Sequence, residues 1–184
     1  GHAAVRAHRS EAILAVGGGS AIDAAKVIGA MATSDKYPAQ LVGMLKLKAP
    51  MLPLFAIPTT AGTGSEVTVA AVVTDPVAHT KAAVIDPRLV PMATALDPLM
   101  MRGMPKPITA ATGMDALTHC IEAVLTPSIN PPAEGIGYDG AQRAFVGFDA
   151  VIDVDNCRRL VRRSCRSPVT GRVPNTIFEA VLGA

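Results

Sequence analysis

Three consecutive glycines, Gly17, Gly18 and Gly19, are followed by Ser20 and come directly after the apolar run 12–16. Glycine lets the backbone approach a ligand without interference from a Cβ atom, and the free amides at a helix start favour anions. A turn of this kind could bind a phosphate. The same residues also suit a plain tight turn that ends in a helix cap.

A second polar cluster, PTTAGTGSE at residues 58–66, holds four hydroxyl groups and two glycines. Short hydroxyl side chains in a loop can donate hydrogen bonds to a polar ligand, and Thr59, Thr60 and Thr63 could bond a phosphate or a ribose. The alternative is a loop whose hydroxyls bond their own backbone.

Asp115 and His119 are four residues apart in a segment with helical periodicity. Side chains at i and i+4 lie on the same helix face, one turn apart. A carboxylate oxygen and an imidazole nitrogen can both ligate a zinc-sized divalent ion at about 2.0–2.2 Å. The pair could therefore share a metal, or form only a surface hydrogen bond.

The elements that must position these clusters alternate between strand and helix. The apolar run 12–16 predicts a buried strand, and Ser20 with Asp23 three residues later predicts a capping box at the start of the next helix. Further strands are predicted at 52–57, 67–73, 82–85 and 92–96. Their close spacing favours a hairpin in part of this region. The pattern indicates an α/β fold with a parallel sheet.

After Pro107 the pattern changes to two helices, over 108–126 and, weakened by its glycines, over 132–145. We therefore expect a partial α/β domain over 1–104 and the start of an all-helical domain over 105–145. Residues 146–184 hold six Arg, no Lys and four acids without clear periodicity. This atypical basic tail is interpreted as disordered or frameshifted sequence.

The composition excludes several classes of function. The 184 residues carry a net charge of +2, with 49% hydrophobic, 17% charged and 3% aromatic residues. No run reaches the roughly 20 apolar residues of a membrane span, and scarce aromatics disfavour nucleic-acid binding. The three cysteines match no zinc spacing and, being odd in number, no disulfide framework. We expect a cytoplasmic protein without a membrane or nucleic-acid partner.

Taken together, the clusters resemble the iron-containing (group III) alcohol dehydrogenases. The resemblance covers about residues 10–145, and the matching segments are GGGSAIDAAK at 17–26, IPTTAGTGSEVT at 57–68, VVTD at 72–75 with Lys81, LDPLM at 96–100 and AATGMDALTHCIEA at 110–123. It implies an NAD(P)-binding α/β domain and a helical domain that holds a divalent metal, iron or in some members zinc. The implied reaction is hydride transfer between the nicotinamide and a small-molecule alcohol or aldehyde, with the metal as Lewis acid.

The resemblance also assigns roles to individual residues. It matches Gly18, Gly19 and Ser20 to a pyrophosphate turn, and Lys81 to a ribose partner. The remaining cofactor-binding positions are Thr59, Thr60, Thr63, Thr68 and Val72. Asp115 and His119 match the first two of four metal ligands.

The last two metal ligands of the family are histidines on later helices, whereas the histidines here are His2, His8, His79 and His119. Together with the short segment before the first strand, this predicts a fragment truncated at both ends, with an incomplete metal site and impaired activity. The alternative is a non-catalytic remnant that forms a homo-oligomer or associates with an intact homologue. Relatives such as glycerol dehydrogenase or dehydroquinate synthase match the two motif regions less well.

Overall fold

The computed structural model describes residues 1–34, 36–74, 79–128 and 130–148. Its internal contacts divide the chain into two units, the first comprising Gly1–Met104 and the second beginning at Pro105. The part of the basic tail beyond residue 148 lies outside the described residues.

Strands and helices alternate through the first unit. Its elements are α1 (His2–Ala7), β1 (Ile13–Gly17), α2 (Gly19–Ser34), α3 (Pro38–Leu41), β2 (Gly43–Met44), β3 (Leu54–Pro58), β4 (Ala70–Thr74), β5 (Lys81–Ile85) and β6 (Ala93–Thr94), with 3₁₀ turns at Pro87–Leu89 and Pro98–Met101. Each apolar run that predicted a strand overlaps one, with ends that differ by at most three residues. The strand, glycine turn and helix predicted at the start of the sequence are confirmed as β1 and α2.

A parallel sheet in the order β1-β3-β6 positions both polar clusters. Its register pairs Ile13 with Leu54 at one end of β1 and Gly17 with Pro58 at the other. Residues 17–20, here called the glycine turn, begin at the end of β1, and residues 58–66, here called the threonine loop, begin at the end of β3. The two segments therefore leave the sheet at the same edge. The carboxyl edge of parallel strands is where α/β folds bind ligands.

The second sheet has the order β2-β5-β4, with β2 parallel to β5. Strands β4 and β5 are antiparallel, so the predicted hairpin is confirmed. Ala71 of β4 and Val84 of β5 pair on its inner face, and both are fully buried. The hairpin thus closes the core against α2.

The buried face of α2 is the centre of this core. Ile22, Ala25 and Ala30 are buried on one side of the helix and belong to the same hydrophobic core as Leu54 and Ala56 of β3. The core also contains two charged residues, Lys26 and Asp86, whose exposed fraction is zero. Such residues are seldom fully buried without partners, and the partners of Lys26 lie beside the candidate site.

The start of α2 differs from the sequence prediction. The helix begins at Gly19, so Ser20 lies inside the first turn and does not cap it. The Asp23 carboxylate accepts hydrogen bonds from the Ser65 hydroxyl and from the Val72 N–H. The predicted capping box is therefore wrong, because partners from another part of the chain take the carboxylate.

The second unit contains two packed helices, α4 (Lys106–Leu125) and α5 (Pro131–Phe148). Both helices were predicted, although α5 continues three residues past the expected end. Its glycines permit close packing on α4, since a Cβ on Gly140 would lie 2.7 Å from Cys120 Sγ and one on Gly137 would lie 2.9 Å from the Cys120 carbonyl oxygen. Burial in this contact raises the pKa of the Cys120 thiol.

Candidate functional site

The glycine turn ends at the start of α2 with amide groups that the helix itself leaves free. The Gly18 carbonyl accepts hydrogen bonds from the Ala21 and Ile22 N–H groups, at 2.9 and 3.2 Å. The first N–H groups of a helix, here those of Gly19 and Ser20, have no acceptor within it, and they carry its positive end. This end of α2 suits an anionic group such as a phosphate.

The threonine loop packs directly on the glycine turn. The Thr59 N–H donates to the Gly17 carbonyl at 3.0 Å. A Cβ on Gly18 would lie 3.1 Å from Thr60 Oγ1, and one on Gly19 would lie 2.8 Å from Thr63 Oγ1. The two clusters that the sequence singles out are thus in contact, and the loop occupies the space that glycine leaves open.

One hydroxyl in this contact, that of Thr60, is buried. Thr60 Oγ1 makes no hydrogen bond to any described residue. A buried polar atom left unpaired costs about 1–3 kcal/mol, so such atoms are uncommon unless a ligand or water completes them. An unpaired hydroxyl beside free helix-start amides fits a phosphate or ribose group of a dinucleotide.

Thr68 follows the loop and Val72 lies in β4, and both residues are hydrogen-bonded to side chains of α2. Lys26 Nζ donates to Thr68 Oγ1 at 3.1 Å, and the Val72 N–H donates to Asp23 Oδ2 at 2.9 Å. Sequence reasoning missed Lys26 and interpreted Asp23 as a cap. A lysine on the otherwise apolar face of α2, three residues after an aspartate, was the available signal.

The ammonium group of Lys26 is surrounded by oxygen atoms. Besides the Thr68 hydroxyl it donates to the carbonyls of Thr68 and Ala70, at 2.9 and 2.7 Å, and Asp23 Oδ1 lies 3.8 Å away. Burial lowers the pKa of Lys26, while the nearby carboxylates of Asp23 and Glu66 act in the opposite direction.

Val72 and Lys81 share one face of the β4–β5 hairpin. Lys81 pairs with Thr74, and Val72 precedes Thr74 by two residues, so all three side chains lie on the same side. Val72 and Lys81 are exposed, whereas Ala71 and Val84 on the other side are buried. No hydrogen bond or ion pair recorded for the described residues joins Lys81 to the glycine turn.

A cavity of about 690 Å³ lies elsewhere in the first unit. Its described lining has no charged side chain and none of the predicted cofactor residues, and it consists of Ala24, Val27, Ile28, Met31, Tyr37, Pro38, Ala39, Val42, Val73, Thr74, Thr80 and Ala82. The side-chain donors of this lining are the hydroxyls of Tyr37, Thr74 and Thr80, and it has no cationic side chain to neutralise a phosphate.

Asp115 and His119 lie one turn apart on α4, as their spacing predicts. Asp115 Oδ1 and His119 Nε2 are 3.8 Å apart, with exposed side-chain fractions of 48% and 52%. One ion could reach both atoms, since their separation is less than twice the ligand distance of about 2.1 Å. Within the ranges that the structure describes, no group of three or more potential metal ligands occurs.

No helix among the described residues combines the length and the apolar character that spanning a bilayer requires.

Comparisons with known proteins identify the family. The family model described as iron-containing alcohol dehydrogenase matches residues 1–98. Alcohol dehydrogenase 4 of Schizosaccharomyces pombe is 45% identical over 127 residues, which are 69% of this chain and 30% of that protein. The chain thus spans about a third of the length of the curated relatives it matches.

Solved structures of the family have the same fold. The alcohol dehydrogenase from Oenococcus oeni superposes with a TM-score of 0.77 at 35% identity, covering 85% of this chain and 41% of that one. Sulfoacetaldehyde reductase from Bifidobacterium kashiwanohense, solved in complex with NAD+, gives a TM-score of 0.71 at 33% identity, covering 78% and 39%. The chain belongs to the iron-containing alcohol dehydrogenase family.

Proposed function

We propose that the first unit binds NAD(P) at the glycine turn. The pyrophosphate would bind the amides of Gly18, Gly19 and Ser20 at the start of α2, where the helix end favours negative charge. The observation that carries this proposal is the contact between the turn and the threonine loop, in which Thr60 Oγ1 is buried and has no hydrogen-bond partner among the described residues.

The rest of the loop and the hairpin would complete the cofactor site. Thr59 and Thr63 flank Thr60 and would contribute hydroxyl groups, and Thr68 would border the bound cofactor. Val72 and Lys81 lie on the exposed side of the hairpin, where Lys81 Nζ could donate to a ribose oxygen. Family membership supports this assignment, since a relative of the same fold was solved with NAD+.

Asp115 and His119 would supply two ligands to a divalent metal, iron or zinc. Their oxygen and nitrogen donors and their spacing on one helix face suit either ion. When both groups are bound, the nicotinamide carries a hydride and the ion acts as a Lewis acid toward an alcohol or aldehyde oxygen. The chain would hold the cofactor and orient it through α2.

The corresponding activity is NAD(P)-dependent alcohol dehydrogenase on a small-molecule alcohol or aldehyde. Relatives act on such compounds, as their names alcohol dehydrogenase and sulfoacetaldehyde reductase state. Two protein ligands seldom hold a catalytic ion, because metal sites of this kind use three or four. We therefore expect the 184 residues alone to bind cofactor without turnover, as a fragment with impaired activity.

The test is a titration of the 184-residue chain with NADH, followed through the fluorescence of the nicotinamide. Saturable binding that Thr60→Val weakens supports the proposal, because valine keeps the shape of threonine and removes the hydroxyl. Thr118→Val is the matched control, since that hydroxyl bonds the Met114 carbonyl on α4. Absence of saturable binding by the wild-type chain would refute the cofactor assignment.

Turnover is tested separately by NADH oxidation with a short aldehyde after addition of iron or zinc. A metal-dependent rate would contradict the expectation of impaired activity while supporting the family reaction. Cofactor binding without such a rate is the result we expect.

An exposed apolar face favours a second function, association with an intact homologue or a second copy. Leu14, Val16 and Phe55 lie on one face of the parallel sheet and are 63%, 50% and 40% exposed. Parallel sheets are normally covered on both faces. Sedimentation of the chain alone and with a full-length relative tests this function, and Leu14→Glu should reduce any association. A monomeric chain in both samples, alone and with the relative, would exclude this association.

A further inference from the structure

Lys26 joins α2 to the segment that follows the threonine loop. Its side chain is fully buried, and its Nζ atom lies 2.7–3.1 Å from the Ala70 carbonyl, the Thr68 carbonyl and the Thr68 hydroxyl. A lysine ammonium has three N–H donors. All of them are therefore occupied by residues 68–70, which lie more than 40 positions further along the chain.

Asp23, one turn earlier on the same helix, makes a parallel set of bonds. It accepts the Val72 N–H at 2.9 Å and the hydroxyl of the buried Ser65. Its Oδ1 atom also lies 3.8 Å from Lys26 Nζ. Residues 65–72, here called the clamp segment, are thus tied to α2 at both ends and in the middle.

The clamp segment carries two of the residues assigned to the cofactor, Thr68 and Val72. The proposed cofactor site is here called the cradle. Helix α2 carries its other half, because the first turn of α2 supplies the amides of Gly19 and Ser20. A displacement of the clamp segment relative to α2 would change the distance between the two halves. We propose that Lys26, together with Asp23, is a positioning residue that fixes the clamp segment against α2 in the geometry that the cofactor requires.

This inference rests on the proposed function, yet it differs from it, because Lys26 and Asp23 act through other residues. Substitution of Lys26 by methionine keeps most of the length and apolar stem of the side chain. It removes the donor that Lys26 supplies to three partly buried oxygen atoms, of which the Ala70 carbonyl keeps a hydrogen bond from the Thr68 hydroxyl, at 3.3 Å. The clamp segment should then separate from α2 or admit water.

The experiment measures NADH affinity of the full 184-residue chain and of three variants, at a temperature at which each is folded by circular dichroism. Lys26→Met should weaken NADH binding by roughly tenfold or more. Asp23→Asn should have a smaller effect, since its amide oxygen can still accept the Val72 N–H. Leu41→Ala, a core truncation on α3, is the control for lost stability and should retain wild-type affinity despite a lower unfolding temperature.

Hydrogen exchange of the same proteins gives a readout independent of NADH. In Lys26→Met the amides of the clamp segment should exchange faster than in Leu41→Ala, with the rest of the sheet less affected. Should Lys26→Met fail to fold, Lys26→Gln, which keeps an amide donor on a shorter side chain, is judged by the same criteria.

The outcomes separate this inference from the proposed function. Wild-type affinity and wild-type exchange in the Lys26 variant would overturn the positioning role while leaving the cofactor site intact. An equal loss of affinity in Leu41→Ala would also overturn it, since stability alone would then explain the effect. Failure of the wild-type chain to bind NADH would refute both.

Discussion

Helices α2 and α4 each carry an acidic and a basic side chain one turn apart, yet the two pairs have opposite environments. Asp23 and Lys26 are largely or wholly buried and are bonded to the clamp segment. Asp115 and His119 are each about half exposed, and their closest atoms are 3.8 Å apart. These hydrogen bonds hold the side chains of the first pair in place. No third potential metal ligand among the described residues lies beside the second pair.

The difference shows which of the two proposed sites this chain can form by itself. The proposed cofactor cradle begins where β1 and β3 end side by side, and all the residues assigned to it belong to the first unit. The metal pair gives two donors, fewer than the three or four of a stable site. We therefore expect the cradle to function independently of the metal.

The largest expected effect comes from breaking the contact between the turn and the loop. In Gly19→Ala the new methyl group would lie 2.8 Å from Thr63 Oγ1 and 3.0 Å from its Cβ atom. Overpacking of this kind costs about 1–3 kcal/mol, and we expect loss of NADH binding. Urea unfolding and NADH titration measure both effects.

The control for this variant is Gly103→Ala, because nothing lies within 4 Å of the position of its added methyl group. It should bind NADH as the wild-type chain does. Normal cofactor affinity in Gly19→Ala would contradict the account of the cradle.

Two glycines of α5 test the packing of the second unit, because alanine should lower the stability at one position and raise it at the other. Gly140→Ala would place a methyl group 2.7 Å from Cys120 Sγ and should destabilise the α4–α5 pair by about 1–3 kcal/mol. Gly135→Ala meets no atom within 4 Å and should stabilise the helix by about 0.5–1 kcal/mol. Thermal unfolding distinguishes them, and stabilisation by Gly140→Ala equal to that by Gly135→Ala would refute the contact of Gly140 with Cys120.

The pH dependence of the unfolding free energy tests whether burial lowers the pKa of Lys26. Because burial lowers the pKa of Lys26, the unfolded chain binds more protons than the folded protein between the lowered value and the ordinary 10.5. Folding stability should therefore rise with pH toward 10.5, by at most about 1.4 kcal/mol per pH unit. The measurement is the difference in unfolding free energy between the wild-type chain and Lys26→Met. A difference that is constant or falls with pH would contradict it.

The smallest effects are expected at the metal pair. Asp115→Asn and His119→Ala replace half-exposed side chains and should change stability by less than about 0.5 kcal/mol. NADH affinity should be the same as in the wild-type chain. A marked loss of affinity in either variant would show that the pair contributes to the cofactor site.

The sequence was sufficient to predict the features that depend on neighbouring residues. An apolar run followed by glycines predicted β1 and α2, and the closely spaced apolar runs predicted a hairpin, since both patterns are local. The bonds of Asp23 were not predicted, because local capping rules compete with partners 42 and 49 residues away. The packing of Thr60 on Gly18 likewise depends on the register of β1 and β3, which no local pattern determines.

If the cradle is complete within the first unit, cofactor binding needs no metal ion. NADH affinity of the 184-residue chain is measured in the presence of EDTA and again with added iron or zinc. We predict saturable binding of equal affinity in both conditions. Binding that requires the metal would contradict a cradle complete within the first unit, and absence of binding in both conditions would contradict the cradle itself.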